Sequence, residues 1–295
     1  MRILITGAGG QLAGELTRAL EGHDLVPLAH RQLDVTDRVK VRTIVRCAAP
    51  DVVINTAAFH RVDDCELEPE RAFAVNALGA RNLALSCAEV DAALLHVSTD
   101  YVFGGDKGTP YREEDIARPL SAYGVSKLAG ELFVRTILPR HYVVRTAGLF
   151  GSGTSGKGGN FVTTMLRLAA DGRDITVVDD QRLSPTSARH LAAKLAWLVG
   201  AEAYGLYHVT NAGDCSWYEL ARAVFEEAGM SPRLTPTTTE AFGARARRPA
   251  CSVLARGTLE RLGADDLPHW REALREYLVD SGVREDDRQP AAYGR

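Results

Sequence analysis

Short apolar runs alternate with amphipathic stretches from the first residues onward. Residues 2–6 (Arg-Ile-Leu-Ile-Thr) are nearly all apolar and pass straight into Gly7-Ala-Gly9-Gly10-Gln11-Leu12-Ala13-Gly14. Leu12, Leu16 and Leu20 then recur at helical spacing. Residues 24–29 predict a second strand and 39–48 a helix. Residues 51–55 predict a strand, 71–90 a long helix, 93–97 a fourth strand, 121–138 a helix and 141–145 a fifth strand. Strands alternating with helices predict an α/β fold, a Rossmann-type doubly wound parallel sheet. Ligands of such sheets bind at the carboxyl ends of the strands.

After residue 147 the pattern becomes less regular. Helices are expected over 161–170, 188–199, 217–228 and 269–279, strands over 174–178 and 205–209, and a loop over 179–186. Residues 231–257 are rich in Pro, Thr and Arg. With no long linker between the halves, the expected division is a dinucleotide-binding domain over 1–147, with 188–230 returning to it. A smaller C-terminal lobe over 148–187 and 231–283 closes the crevice, and 284–295 is a flexible tail. The glycine-rich stretch 151–160 nearly spells a P-loop, but Gly158 stands where a Ser or Thr hydroxyl would hold Mg²⁺. A lid beside the crevice is the better expectation.

Composition narrows the classes without choosing one. The 295 residues suffice for one large or two modest domains, and 45% hydrophobic with 25% charged is ordinary for a globular protein. A formal net charge of −3 argues against nucleic acid or a membrane surface as partner. Five scattered cysteines without a C-x-x-C predict a reducing, cytoplasmic setting and no structural metal. Cys47 and Cys87 are expected in the core. No apolar run approaches the roughly 20 residues of a membrane span.

Candidate chemistry gathers at the expected strand ends. Strand, glycine turn and helix, in that order, are the setting of a dinucleotide-binding fingerprint. Gly7 would permit the tight turn, Gly10 would let backbone approach a pyrophosphate, and small Ala13 would let the helix press on the strand. Gly9, Gln11 and Leu12 stand at the helix start, where free N–H groups and partial positive charge favour phosphate. The alternative is an ordinary glycine-rich turn. Asn55-Thr56-Ala57-Ala58 and Thr99 close later strands on the same edge. Tyr123 and Lys127, four apart, fall on one helical face, because four steps of about 100° return to within about 40° of the start. A phenol beside an ammonium is a proton donor whose pKa is drawn down from about 10, and Thr99 would hydrogen-bond the same reacting oxygen. That set outlines a carbonyl reductase; an exposed helical Tyr/Lys pair is the alternative.

These motifs, taken together, resemble the dTDP-4-dehydrorhamnose reductase family of the extended short-chain dehydrogenase/reductases. The resemblance rests on Thr6–Ala13, Asn55–Ala58 with Val62-Asp63 and Glu66, Ser98–Phe103, Tyr123–Lys127, Gly159–Phe161, Asp180-Gln181 with Pro185-Thr186, Asn211–Gly213 with Ser216–Tyr218, and Arg248-Pro249 with Ser252. It implies hydride transfer from a nicotinamide to the C4 ketone of a dTDP-linked 4-keto-6-deoxyhexose, with Tyr123 as proton donor. Lys127 would lower the Tyr123 pKa and hold the nicotinamide ribose. Asp100, Tyr101, Asn160, Phe161, Gln181 and Arg248 match positions facing the sugar nucleotide. A turn cap for Asp100, helix-start packing for Asn160 and Phe161, and a solvated face for Arg248 are the alternatives.

His30-Arg31 near the end of the second strand favours NADPH through a 2′-phosphate, whereas Asp34 as the ribose acid would permit NADH. The resemblance places Leu33-Asp34-Val35 near the adenine. Gly148 stands where many members carry Trp. Some members dimerise around Mg²⁺; Glu15 matches one ligand, but Arg189 stands where another carboxylate is needed, so a homodimer, if formed, is expected to lack a bridging metal, and the oligomeric state is left open. The rivals are a sugar-nucleotide epimerase or dehydratase on the same scaffold, and a non-catalytic protein similar to the regulatory subunit of methionine adenosyltransferase.

Overall fold

A computed structural model describes residues 1–153 and 159–284. Residues 154–158 of the expected lid and nearly all of the expected tail lie outside the described residues. The chain opens with β1 (Arg2–Thr6), α1 (Gln11–Ala19), β2 (Asp24–Leu28), α2 (Arg38–Ala48) and β3 (Val52–Asn55). There follow α3 (Val62–Leu67), α4 (Pro69–Phe73), α5 (Gly79–Val90), β4 (Ala93–Thr99), α6 (Ala122–Ile137) and β5 (His141–Thr146). Next come β6 (Leu149–Phe150), α7 (Phe161–Ala170), β7 (Ile175–Val178), β8 (Arg182–Leu183), β9 (Thr186–Ser187), α8 (Ala188–Ala201) and β10 (Gly205–His208). The chain ends with β11 (Cys215–Ser216), α9 (Trp217–Glu227), β12 (Leu234–Thr237), α10 (Thr239–Phe242), α11 (Gly257–Arg261) and α12 (Trp270–Asp280).

Six parallel strands form the main sheet in the order β10-β5-β4-β3-β1-β2. It is a Rossmann-type, doubly wound sheet, and the winding reverses between β1 and β3, where such sheets take their ligands. Its strands are apolar throughout because both faces are covered. Ile3, Ile5, Val52, Ile54 and Leu95 point to one face, against α1 and α8. Leu4, Val53, Leu94 and Val143 alternate to the other, against α2, α5 and α6.

A second apolar cluster holds the smaller lobe, where α7, β7, α9 and α12 converge on Met165, Val177, Leu220, Phe225, Trp270 and Leu274. The expected return of 188–230 to the sheet is therefore too long. α8 lies on α1 and β10 extends the sheet edge, but α9 packs into the smaller lobe. Leu259, Ala264 and Leu267, expected in that lobe, pack instead under the main sheet with Tyr207. Cys87 is buried, whereas Cys47 is exposed on α2.

Two local departures matter for the site. The helix expected over 71–90 is interrupted by a π turn, Ala74–Leu78, which carries Asn76 to a buried position. Its amide accepts from Phe59 N (2.9 Å) and donates to Phe59 O and Ser126 Oγ (3.0 Å each), tying the loop after β3 to α6. Such single-turn π insertions are frequent at functional sites. The loop expected over 179–186 contains β8 and β9, and the Pro/Thr-rich stretch contains β12, which pairs with β7.

A buried ion pair fastens α6 to the sheet. Glu131 takes Arg145 through Oε1 (3.0 Å) and Oε2 (2.7 Å), with both side chains almost wholly buried, and Ser98 donates to Glu131 at 2.5 Å. Arg145 also meets His208 Nε2 at 3.3 Å. Burial, and then the Arg145 charge, pull the His208 pKa down to about 3, so the ring stays neutral.

Removing one partner of such a pair strands the other charge, a loss of about 3–5 kcal/mol. Arg145→Met is expected to lower the unfolding free energy by about that much in urea titration, with Glu131 left behind. A second expectation concerns acid. His208 titrates at its ordinary pKa when unfolded but at about 3 when folded, so its contribution is present above the unfolded value and is lost as pH falls towards 3. His208→Asn should therefore make the fall of stability between pH 6.5 and that value shallower, as read by melting temperature against pH.

Candidate active site

The turn after β1 is built around one backbone angle. Gly7 has φ +75°, and a Cβ there would lie 2.7 Å from Thr56 Oγ1 and 2.9 Å from Ala57 N, so only glycine fits without strain. Thr56 Oγ1 donates to Thr6 O at 2.7 Å, which draws the ends of β1 and β3 together. Ala57 N donates to Asn55 Oδ1 (3.2 Å), and Ala57 and Ala58 are half-buried beside the turn. Gly10 caps α1 with no side-chain bond, and no acidic residue stands in the first turn. The helix therefore presents its free N–H groups and positive end without a built-in anion. A Cβ at Gly9 would meet nothing within 4 Å. This cradle suits a pyrophosphate. Leu12 is core, and Gln11, mostly buried, accepts from Asn160 Nδ2 at 3.3 Å.

β4 delivers Thr99, and α6 delivers Tyr123 in its first turn. Ser121 caps α6 by accepting from Gly124 N at 3.2 Å. Gly124 lies so close against the Tyr101 carbonyl that any side chain there would collide with it, so α6 can press on the 3-10 turn Asp100–Val102. That contact sets the Tyr123 phenol against the Thr99 hydroxyl, close enough for Thr99 to act on its proton affinity. Tyr101 meets the Tyr123 ring edge-on, with centroids 6.1 Å apart.

The electrostatics differ from expectation. Burial pushes the Tyr123 phenol above its ordinary value; Thr99's hydrogen bond opposes the shift and Asp100 adds to it. On the same helical face, the buried Lys127 ammonium donates to Val97 O at 2.6 Å. Burial lowers Lys127 itself to about 8, against Glu131 one turn further along α6.

The expected substrate positions divide into two groups. Asp100 is nearly fully buried, and both its oxygens are engaged, Oδ1 by Thr99 (3.0 Å) and Oδ2 by Ser252 (2.5 Å). Burial raises its pKa to about 6, against hydrogen bonds from Ser252 and Thr99. Arg248 is likewise no solvated arginine. It grips Asp63 (2.7 Å), and its charge acts on the Tyr101 phenol. These residues come together around Thr99.

The others do not join that cluster. Asn160 caps α7 in a reciprocal box with Thr163 and ties Gly151 O (2.9 Å) to Gln11 and the Tyr277 hydroxyl. Phe161 packs on Trp217 with ring centroids 4.7 Å apart. Gln181, mostly buried, donates to Thr239 Oγ1 at 2.8 Å. Packing and capping contacts engage all three.

His30 and Arg31 are exposed after β2. Asp34 accepts from Thr36 N (2.9 Å) and Thr36 Oγ1 (2.8 Å). Burial alone would raise its pKa, but these bonds outweigh it and hold the carboxyl below its usual range. Val35 is buried against Gly79.

Gly148 also has a physical reason. At φ +52°, its Cβ would lie 2.5 Å from Leu183 Cδ1, so no tryptophan fits that backbone. Glu15 pairs with Arg18 (2.6 Å) and Arg189 with Asp280 (2.7 Å), around a cavity of about 570 Å³ between α1, α8 and α12. Among the described residues, no group of three or more His, Cys, Asp or Glu is placed to hold a metal. Ser252, Asn76 and Asp63 are the contributors without an assigned role in the sequence reading. Asp63 and Ser252 stand within the quoted motifs, and Asn76 is an amide in an otherwise apolar helix.

Comparison with known proteins follows the same lines. A family profile described as the RmlD substrate binding domain matches residues 1–282. A protein named dTDP-4-dehydrorhamnose reductase from Streptomyces griseus is 45% identical, covering 93% of this chain and 92% of its own. The spore coat polysaccharide biosynthesis protein SpsK of Bacillus subtilis is 42% identical, covering 94% and 96%. The crystal structure of dTDP-4-dehydrorhamnose reductase from Bacillus anthracis, in complex with NADP, superposes with a TM-score of 0.91 at 39% identity, covering 95% and 99%. Matched over almost its whole length by that profile and by these relatives, the chain belongs to the dTDP-4-dehydrorhamnose reductase family.

Proposed function

We propose that this protein reduces the C4 ketone of a nucleotide-linked 4-keto-6-deoxyhexose with NADPH. dTDP-4-dehydrorhamnose, the compound in the name of the S. griseus relative, is the first substrate to test. The observation that carries the reading is the Tyr123 phenol set against Thr99 at the end of β4, on the same sheet edge as the uncapped start of α1.

The residues present fit a dinucleotide. The Gly7 turn and the first N–H groups of α1 would take the pyrophosphate. Exposed Arg31 and His30 would receive a 2′-phosphate. Lys127 spends one of its three donors on Val97 O and keeps two for ribose hydroxyls. When bound, the reduced nicotinamide supplies the hydride. Tyr123 donates its proton to the oxygen of the ketone as negative charge grows there. The raised phenol pKa keeps that proton in place until the oxygen becomes basic enough to take it. Thr99 stabilises the same oxygen, and its preset position avoids reorganisation during the reaction.

A dehydratase would need a free carboxylate beside Thr99, and Asp100 has both oxygens engaged. The intact Thr99, Tyr123 and Lys127 set favours catalysis over a purely regulatory role. Asp100, Tyr101 and Arg248 would form the wall against the sugar nucleotide, with Tyr101 and Arg248 nearest to it. We also infer a cytoplasmic enzyme acting without nucleic acid or membrane, as a homodimer with no bridging metal. No helix among the described residues is long and apolar enough to cross a membrane.

The decisive assay is NADPH consumption with a panel of keto-sugar nucleotides and identification of the product by NMR; no turnover of any member sinks the reading. Tyr123→Phe is expected to lower kcat by about 10²–10⁴-fold while NADPH still binds in a fluorescence titration. An unchanged kcat would remove Tyr123 from the chemistry. NADPH is expected to show a lower KM than NADH, and Arg31→Ala should raise the KM for NADPH while leaving that for NADH in place. A preference for NADH would assign the ribose to Asp34 instead.

A further inference from the structure

Resting on the reductase reading, the hydrogen-bond count around Thr99 assigns a role to Asp100. The Thr99 hydroxyl has one proton and faces three groups. Tyr101 N donates to its oxygen at 3.2 Å, the Tyr123 phenol lies against it, and Asp100 Oδ1 stands 3.0 Å away. Tyr101 N can only donate. When Asp100 is a carboxylate it can only accept, so the Thr99 proton goes to Oδ1 and the Ser252 proton to Oδ2. Thr99 is then an acceptor towards Tyr123 and has nothing to give a substrate oxygen. A group meant to stabilise a growing oxyanion would be turned away from it.

A second pattern satisfies the same atoms. Ser252 Oγ has another acceptor, Arg182 O at 3.5 Å. If Asp100 carries a proton on Oδ2, it donates to Ser252 Oγ, and Ser252 turns its own proton to Arg182 O. Oδ1 becomes a neutral carbonyl oxygen, a weaker acceptor, and the Thr99 proton is released towards the ketone. No bond breaks beyond one protonation of Asp100 before substrate turns over. We propose that Asp100 is a positioning residue that works in its neutral form, with Ser252 of the C-terminal lobe as its acceptor, so that Thr99 faces the reacting oxygen.

The surroundings suit a proton held at that place. Asp100 is 3% exposed, and burial raises its pKa to about 6. The titratable groups facing it are Tyr101 on the same turn and Tyr123 on α6, while the C-terminal lobe presents the uncharged Ser252. The Asp63–Arg248 ion pair acts on Tyr101, and the Lys127 ammonium is turned to Val97 O.

The experiment compares kcat against pH for ketone reduction in the wild type, Ser252→Ala and Asp100→Asn. The neutral form is the active one, so wild-type kcat should fall as pH rises through a value near 6. Ser252 bonds both forms of Asp100, but the bond it donates to the charged carboxylate is the stronger, so Ser252→Ala should move that fall to higher pH. Asp100→Asn, which cannot ionise, should lack it. In the ligand-free protein, carbon-13 titration of the Asp100 carboxyl should show a midpoint near 6, moved upwards in Ser252→Ala. That readout holds even where Asp100→Asn fails to fold. Turnover with a limb that Ser252→Ala leaves in place, or a carboxyl midpoint at the ordinary value, overturns the role of Asp100 alone. A wild type that reduces no keto-sugar overturns the reductase reading instead.

Discussion

A single rung of buried polar side chains sets the edge of the sheet on which everything else stands. Thr6, Asn55 and His96 lie opposite one another on β1, β3 and β4. Thr6 Oγ1 donates to Asn55 Oδ1 at 2.7 Å, and Asn55 Nδ2 meets His96 Nδ1 at 3.0 Å. Burial, and then the charge of Lys127, hold the His96 pKa well below its ordinary value, so the ring remains neutral and able to accept. Slipping any of these strands by one residue would turn its polar side chain to the other face. Each buried group left unpaired costs about 1–3 kcal/mol. The apolar residues of a parallel sheet tolerate more than one register; this rung does not. The Gly7 turn leaves one residue after Thr6, and Thr99 ends β4 three residues after His96, so both sites inherit the alignment.

α6 turns that alignment into chemistry, and it does so with an unusual helix face. Besides Val134 it buries Gly124, Ser126, Lys127, Gly130 and Glu131, where an ordinary helix would bury leucines. The glycines let its backbone touch other backbone: Gly124 faces the Tyr101 carbonyl, and Gly130 the Asn76 carbonyl and the His96 ring. A glycine inside a helix costs about 1 kcal/mol relative to alanine, so stability is given up here for position. The Glu131–Arg145 pair offsets some of that loss and holds the helix in rotation. Tyr123 is thus placed by contacts between backbones, which vary less than contacts between long side chains.

What was legible in the sequence follows from how local each signal is. The alternation of strands and helices could be read because strands covered on both faces are apolar throughout. Gly7, Thr99, Tyr123 and Lys127 could be read because each belongs to a short strand–turn–helix segment whose geometry the chain dictates within a few residues. Asp100 was legible as a residue at a strand end but not in its use, since its partner Ser252 lies 152 residues away. Arg248 suffers the same limit, with Asp63 at a separation of 185. The spacing of Tyr123 and Lys127 did predict one helical face. It could not show that the long lysine chain would reach the Val97 carbonyl. Asn160 and Phe161 stand in a motif that reads equally as a ligand contact or as a helix start, and only the capping box and Trp217 separate the two.

The distant contacts share a direction: both join the dinucleotide-binding half to the C-terminal lobe beside Thr99 and Tyr123. Asp63 on α3 holds Arg248 and the Ala246 N–H, and Asp100 at the end of β4 holds Ser252. Ser252 is in turn fixed by its backbone, whose N–H donates to Arg182 O at 2.9 Å next to β11. A lobe that moved away would leave a buried carboxyl and a half-buried guanidinium without partners, and losing a charged partner costs more than the bond itself returns. The lobe is therefore held closed by groups that also shape the site. The crevice has its floor from one half and its orientation from both, which is why neither half alone, and no local stretch of sequence, specifies how Thr99 points.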